Sequence, residues 1–363
     1  MAAGFLTPGI SQFNTVFPDI PSKNAEGSNI YSNLTGLPVV SAEDLTAPAF
    51  CVQTPNGMDG ARPQAGLNEA GVVFEAIAET GITRFAAIYQ NSSSAIIGPI
   101  RSLRLYYLEW DTPFDCTIVH AGGAPDALSA VSRGYKNLDE NYTYMYRGTY
   151  GARRWNNLFT TSSYLLKMNS ERGYGGSDVK GFTRMTPAES LVSRVDNLVG
   201  EKLVIYEASS GKTSDINAKV SSMAVNFGRM VNFNVRYDYD PAGNVYLRSY
   251  ESGTAHDIYA CPSSDLGEKN PEDNCELKQL TPAVVAVMVV NEKRASDDYH
   301  EDITTTGSGE AYVFQNGIAI KGTWKKPSVA EQIKFYDENG VEIGLAPGQT
   351  FVEAVPGYGS VEY

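Results

Sequence analysis

The sequence predicts an α+β fold: an N-terminal α/β domain followed by a mostly antiparallel, β-rich C-terminal domain. Three observations carry this expectation. Up to about residue 205, runs with the two-residue period of strands interleave with stretches that keep a helical period. From about residue 202 the helical period stops, and short apolar runs follow one another between turn residues. At 363 residues the chain is longer than one hydrophobic core usually organises. Two domains, 33–205 and 206–363, are therefore expected behind a flexible tether of residues 1–32. A content of 42% hydrophobic and 20% charged residues is enough to bury a core, and 22 Tyr, 34 Gly and 18 Pro favour strands and turns over a helical bundle.

Residues 1–32 are rich in Ser, Asn, Pro and Gly, the composition of a tether. The start, Met1-Ala2-Ala3-Gly4-Phe5-Leu6, lacks the charged n-region and long apolar h-region of an intact signal peptide. Leu34-Thr35-Gly36-Leu37-Pro38-Val39 opens the ordered part. Residues 47–54 read as a strand ending in the turn Pro55-Asn56-Gly57. Residues 72–79 alternate, with Val72, Phe74, Ala76 and Ala78 facing one way and Val73, Glu75, Ile77 and Glu79 the other. Residues 84–90 complete a hairpin across the turn at 80–83. In 98–110, Leu103, Tyr106, Tyr107 and Trp110 fall at i, i+3, i+4 and i+7, so the spacing predicts an amphipathic helix with Arg101 and Arg104 as neighbours in its first turn. A short strand at 116–120 and helices at 124–133 and 162–168 follow. The second half reads as strands at 203–206, 223–227, 233–239, 245–250, 283–290, 311–314, 318–324, 333–336 and 350–355. Asn339-Gly340 marks a hairpin turn after Phe335-Tyr336.

Charge bounds the partners. A net charge of −13 and a pI near 4.8 argue against a phosphate backbone as partner, and against docking of the body onto anionic lipid. With no run of about 18 apolar residues, a membrane is met only through an N-terminal anchor absent from this sequence. Cys261 and Cys275 enclose a polar segment with little apolar content of its own. A bridge between them is expected, stabilising by roughly 3 kcal/mol in the chain-entropy model, and it implies an oxidising compartment. Cys51 and Cys116 sit in apolar strand-like runs, where buried thiols and a second bridge are both open.

The candidate chemistry is mostly cationic. Arg62, Arg84, Arg101 and Arg104, with His120 at a strand end, make a candidate anion site, supported by the expected helix N-terminus. Gln64 and Glu79 are placed as the residues that orient them. The plainer reading pairs these arginines with Glu75, Glu79, Glu109 or Asp111 as framework. Glu75 and Glu79 on one strand face would be about 13 Å apart at Cα, beyond the roughly 5–9.5 Å between glycosidase carboxyl groups. His120, His256 and His300 fit no compact metal motif and read as solvated loop residues or a strand end, so neither metal nor cofactor is expected. GxSxG, P-loop and GxGxxG motifs are absent. Tyr142, Tyr144, Tyr146, Tyr150 and Trp155 interleave with Arg147, Arg153 and Arg154, a composition suited to sugars or peptides or to packing on its own domain.

Several segments in this order resemble one family: Leu34-Thr35-Gly36-Leu37-Pro38-Val39, Ala61-Arg62-Pro63-Gln64-Ala65-Gly66-Leu67, Glu79-Thr80-Gly81-Ile82-Thr83-Arg84-Phe85 and Gly98-Pro99-Ile100-Arg101-Ser102-Leu103-Arg104. Val119-His120-Ala121-Gly122-Gly123, Gly322-Thr323-Trp324-Lys325-Lys326 and Pro347-Gly348-Gln349-Thr350 continue the series. Together they resemble the YerB-like bacterial lipoproteins, a domain of unknown function with N- and C-terminal parts, from about residue 33 to the end. The resemblance implies a secreted protein tethered to the outer face of the cytoplasmic membrane and supplies no catalytic residues. The sequence departs from it at residues 153–159, where the family has a Pro-His-Asn-Leu-Tyr-like run, and in lacking a lipobox cysteine. The expected function is an extracytoplasmic envelope protein that binds an anionic or glycan polymer or a partner protein. The alternative is a wall-modifying hydrolase using Glu75 or Glu79 with His120.

Overall fold

A computed structural model describes residues 30–141, 143–148, 156–194, 203–206, 213–216, 218–261 and 270–363. The expected tether falls outside these up to residue 29, as do Tyr142, Tyr150, Arg153, Arg154 and Trp155. The fold is mostly sheet. The strands of its larger sheets and of one hairpin, numbered in chain order, are β1 (Ala49–Pro55), β2 (Val72–Glu79), β3 (Ile82–Gln90), β4 (Thr117–Val119), β5 (Asn137–Leu138), β6 (Ala218–Lys219), β7 (Ser222–Asn226), β8 (Val235–Asp240) and β9 (Val245–Tyr250). They continue with β10 (Asp257–Ala260), β11 (Glu276–Gln279), β12 (Val284–Val290), β13 (Gly307–Gln315), β14 (Ile318–Lys326), β15 (Lys334–Asp337), β16 (Thr350–Pro356) and β17 (Ser360–Glu362).

One sheet dominates, in the order β6-β14-β13-β12-β16-β2-β3-β1-β4-β5, with β15 also on β14. A four-stranded sheet, β9-β8-β7-β17, packs on it, and β10 and β11 form a hairpin. The second half is antiparallel except at β16, which runs parallel to both β12 and β2. Such a strand is covered on both faces and reads as a near-continuous apolar run; all seven residues of β16 are buried. The main sheet thus takes strands from either side of residue 205.

β2 is buried along its whole length, because both faces of the sheet are covered. Phe74 and Ala76 meet α1 (Leu105–Asp111), whose Tyr106, Tyr107 and Trp110 share their core; the Phe74 and Trp110 rings stack at 5.5 Å. On the other face Ile77 packs under the four-stranded sheet with Met223, Val225 and Tyr237. Val73 and Phe85 share a core with Leu165 and Met168 of α3 (Ser162–Glu171). Between α1 and α3 in the chain lies α2 (Pro125–Val131), near its expected place.

The expected helix over 98–110 is shorter than the spacing predicts. It begins only at Leu105, with Arg104 in an extended conformation at its N-cap. Residues 98–104 instead form a strap whose backbone is spent on neighbours. Ile100 N donates to Leu158 O (2.7 Å), Arg101 N to Gln53 O (2.7 Å) and Leu103 N to Gly122 O (3.0 Å), while Arg101 O accepts from Ala121 N (3.0 Å). These bonds replace the helical ladder. Gly98 is pressed so close to Phe159 that a Cβ would stand 2.8 Å from the ring.

Both cysteine pairs are bridged, Cys261–Cys275 as expected and Cys51–Cys116 as well, with Cα–Cα separations of 4.4 and 5.7 Å. Cys51 lies on β1 and Cys116 just before β4, and those strands pair in parallel, with Cys51 opposite Ile118, two residues after Cys116. The turn at Asn339-Gly340 forms with only Gly340 at positive φ (78°). Asp337 Oδ1 holds it by accepting from Asn339 N and Val341 N, and a single bridge, Tyr336 to Glu342, stands where a second strand was expected.

Candidate functional site

The candidate site residues gather in three places rather than one. The first is built by a β-bulge. Between Ile77 and Glu79 the β2–β3 register shifts, so Ile77 opposes Thr83 while Glu79 opposes Ile82. A bulge reverses the alternation, and Glu79 leaves the face of Glu75 for the α1 side, where Arg84 and Arg104 meet it. The two acids assigned to one face therefore look to opposite faces, which removes them as a catalytic pair.

Glu79 Oε1 accepts from Arg84 Nη2 at 2.7 Å and from Arg104 Nη2. Arg84 Nη1 also donates to Ser102 O (2.5 Å) and Arg104 Nη1 to Leu103 O (2.9 Å), so the strap's carbonyls complete the cluster. Both arginines are 4% exposed, and the Nε of each is buried without a hydrogen-bond partner among the described residues. Arg101 lies half-buried beside them, and its side chain makes no hydrogen bond or ion pair among the described residues. Burial pushes the pKa of Arg84, Arg101 and Arg104 down, and Arg84 and Arg147 oppose the charge of Arg101 while Asp59 favours it. Two guanidinium groups, of Arg84 and Arg104, thus share one buried carboxylate, with Arg101 beside them and bonded to none. Arg101 and Arg104 do not, however, share a helix turn, and a helix of seven residues adds no N-terminal anion site.

The second place lies on the other face of β2, beneath the four-stranded sheet. Glu75 and Glu353 are register partners on β2 and β16, both wholly buried. Arg248 of β9 reaches down between them: its Nη2 donates to Glu75 Oε2, its Nε to Tyr237 OH (2.9 Å), and Tyr237 OH to Glu353 Oε1. Arg248 Nη1 donates to His256 Nδ1, so the ring's Nε2–H faces Gln64 Oε1 at 3.0 Å. Gln64 Nε2 donates to Pro55 O (3.0 Å), and Asn56 Nδ2 to Glu75 Oε1 (3.1 Å) and Thr83 Oγ1 (2.8 Å). Arg62 closes the network from outside, its Nε donating to Asn56 O (2.9 Å) and Oδ1 (2.8 Å).

Burial, reinforced by the charge of Glu75, holds the Glu353 carboxyl well above the ordinary range and so favours its protonated form. Burial, with Arg248 and Arg62 nearby, holds His256 far below its ordinary value, so it is neutral. Burial is the largest single influence and opposes the charge of Arg248, but Glu75, Tyr237, Glu353 and Tyr250 together outweigh it and the guanidinium stays charged. The result is one buried ion pair, Arg248–Glu75, inside a hydrogen-bonded shell. His256 is wholly buried rather than the solvated loop residue expected, because β10 begins at the next residue and draws it under Tyr250.

The third place is His120, also wholly buried. Its Nδ1 lies 2.8 Å from Gly122 O and its Nε2 2.8 Å from Asn137 Oδ1. The loop 120–123 runs beside the strap, but the ring is turned inward with both nitrogens engaged. His120 therefore joins neither cluster, and a hydrolase built on Glu75 or Glu79 with His120 has no assembled site. Of the aromatic stretch, Tyr146 is buried and Arg147 pairs with Glu140. No group of three or more His, Cys, Asp or Glu among the described residues is placed to hold a metal ion.

Sequence reasoning missed Arg248, Glu353 and Tyr237. The signal was present in the strand alternation: Glu75 lies between Val73 and Ile77, Glu353 between Phe351 and Val355, and Arg248 between Tyr246 and Tyr250, each a polar residue in an inward register.

Comparison with known proteins places these features in a family. Residues 34–175 match the N-terminal domain, and residues 223–352 the C-terminal domain, of the family described as protein of unknown function (DUF3048). The Bacillus subtilis (strain 168) protein named "Putative lipoprotein YerB" is 26% identical over 328 residues, 89% of this chain and 85% of the relative. The crystal structure of YerB from Bacillus subtilis matches with a TM-score of 0.71 at 22% identity, covering 92% of this chain and 100% of that one. At that identity the structural likeness is one of fold.

Proposed function

The chain belongs to the DUF3048 family, described as proteins of unknown function, and from that premise we propose that it is an extracytoplasmic, membrane-tethered envelope protein that binds an anionic ligand at Arg84, Arg101 and Arg104. Two supports bear on the location: the B. subtilis relative is named as a lipoprotein, and both disulfides suit an oxidising compartment. No helix among the described residues is long and apolar enough to cross a membrane.

The observation that carries the binding reading is Arg101. A half-buried guanidinium opposed by the charges of Arg84 and Arg147, with only Asp59 favouring it and no acid or carbonyl bonded to its donors, is a costly arrangement that an anion would relieve. Arg84 and Arg104 share Glu79, and Arg101 adds a third cation that no acid bonds, a local excess of positive charge on a body whose net charge is −13. Anionic wall polymers, peptidoglycan and the acidic face of a partner protein are the candidate ligands.

The test is co-sedimentation of the folded protein with purified anionic wall polymer and with peptidoglycan. Arg101→Ala should weaken binding at least tenfold, with an unchanged melting temperature and a shallower dependence on salt. Arg104→Ala is unsuited to this comparison because Arg104 is tied to Glu79 and the strap. Retention of full affinity by Arg101→Ala would remove the proposal.

A further inference from the structure

We infer that the anion site takes an acidic saccharide, a sugar ring carrying a phosphate or carboxylate, with the ring laid on Tyr299 and the acid on Arg101. This rests on the binding reading of the arginine cluster and names the chemistry of its ligand.

Tyr299 is brought to the cluster by a small hairpin. Its strands, Glu292–Arg294 and Glu301–Ile303, pair in antiparallel. The residue after Tyr299, His300, forms a single antiparallel bridge with Glu79, the carboxylate that Arg84 and Arg104 share. Tyr299 is therefore one residue from a direct pairing with the bulge that turned Glu79 towards the arginines. Burial opposes the charge of Arg84, Arg101 and Arg104, and the Tyr299 phenol is close enough to favour it in all three. Backbone pairing and charge put the same side chain beside the same cations. The guanidinium nitrogens of Arg101 are bonded to nothing, and none of them is sealed from solvent among the described residues.

The turn that carries Tyr299 is closed by its own residues. Asp297 Oδ1 accepts from Tyr299 N (3.0 Å) and His300 N (2.9 Å), and its Oδ2 lies 2.6 Å from His300 Nδ1. Arg294 Nη1 donates to Asp298 O (3.0 Å), and Asp298 itself takes a positive φ of 56°. Those bonds leave the tyrosine side chain out. It is 54% exposed, its one ring neighbour among the described residues is His300, edge to face at 4.9 Å, and its hydroxyl makes no hydrogen bond there. An exposed aromatic held by its backbone offers a flat apolar surface that needs little further ordering on binding.

A pyranose answers both features. Its C–H face is apolar and lies flat on an aromatic ring, its hydroxyls can meet the phenol, and an acid on the ring can meet a guanidinium fork. A bare anion leaves the tyrosine unused, and a neutral sugar leaves the Arg101 donors unbonded. Closely spaced anions, as in polyphosphate, meet opposition from Asp59 and the exposed Asp126, whose charges reach Arg101 and Arg104. An aromatic acid is better served by a slot between two rings, and Tyr299 has no stacked partner.

The experiment is titration calorimetry of the full chain with glucose 6-phosphate, glucuronate, phenyl phosphate, inorganic phosphate, acetate and glucose. At least one sugar acid should bind at least fivefold tighter than its bare acid and than phenyl phosphate, and glucose should give no heat. Tyr299→Ala should keep the melting temperature and bring sugar acid and bare acid within twofold of each other. Tyr299→Phe, which keeps the ring, should keep most of the preference. Arg101→Ala should weaken sugar acid and bare acid alike. Equal binding of sugar acid and bare acid by the parent, or a preference that survives Tyr299→Ala, would overturn this inference alone. So would phenyl phosphate or glucose binding as tightly as the sugar acid. No heat with any acid, or full affinity in Arg101→Ala, would overturn the anion site as well.

Discussion

Arg248 has no exposure, yet its charge is retained because each of its three guanidinium nitrogens finds an acceptor, in Tyr237, His256 or Glu75. Removing one partner of such a pair is far worse than removing both, since the survivor is left charged and buried. Arg248→Met should therefore cost about 3–5 kcal/mol in urea unfolding, and Arg248→Met with Glu75→Gln should recover most of that. Recovery of nothing would show that Arg248 acts through packing on Phe85 and Phe351 rather than through charge. The network also fixes the pH response, with two opposite signs. Glu353 has a folded pKa raised above its unfolded value near 4.5, so its contribution is complete below that value and is lost as pH rises towards the folded pKa. His256 has a folded pKa lowered from 6.5, so its contribution is present above 6.5 and is lost as pH falls below it. Each carries a limiting slope of about 1.4 kcal/mol per pH unit. Glu353→Gln should accordingly gain stability relative to the parent between pH 5 and 8, and the gain should grow with pH. A constant difference across that range would contradict a protonated Glu353.

At the scale of elements, what was legible was whatever depends on local pattern. The strands Val72–Glu79 and Val245–Tyr250 fall where alternation and turn residues put them, because period and propensity are short-range properties. The helix at 98–110 was misjudged for a long-range reason. Leu103, Tyr106, Tyr107 and Trp110 do keep a helical spacing, but the first of these belongs to the strap, where bonds to Gln53, Leu158 and Gly122 outcompete the local ladder. The bulge before Glu79 was invisible for the same reason: a register shift exists only relative to a partner strand. Of the candidate site, Arg84, Arg104 and Glu79 do gather; Arg62 and Gln64 join a different network whose centre, Arg248, comes from the other half. The two bridges were unequally legible as well. Cys261–Cys275 closes a short polar loop, whereas Cys51–Cys116 joins residues 65 apart that meet only once β1 and β4 pair. Loop length also orders their worth: about 4 kcal/mol for the longer and about 3 for the shorter in the chain-entropy model. Urea midpoints of Cys51→Ala/Cys116→Ala and Cys261→Ala/Cys275→Ala should fall in that order, and the reverse order would show that the polar loop, not chain entropy, dominates.

For the whole molecule, the decisive element is β16. It is hydrogen-bonded in parallel to β12 on one side and β2 on the other, so a strand from the last residues of the chain is wedged into the middle of a sheet that begins at residue 49. It also carries Glu353 to Glu75, and thereby joins the core beneath the four-stranded sheet to the one around Phe351 and Phe85. A sheet continuous across residue 205, with a buried polar network whose members come from both sides, leaves neither half a complete core. Residues 33–205 alone would expose the β2 edge and leave Glu75 buried or half-solvated without Arg248, a charged and unpaired edge that favours aggregation over folding. The intact chain should therefore unfold in one calorimetric transition with equal calorimetric and van't Hoff enthalpies. Truncation after Gln349 should abolish the near-ultraviolet circular dichroism of the whole protein, not only of its second half. Two resolved transitions, or a folded and monomeric 33–205 fragment, would show that the sheet joins two units already stable alone, and that β16 merely docks them.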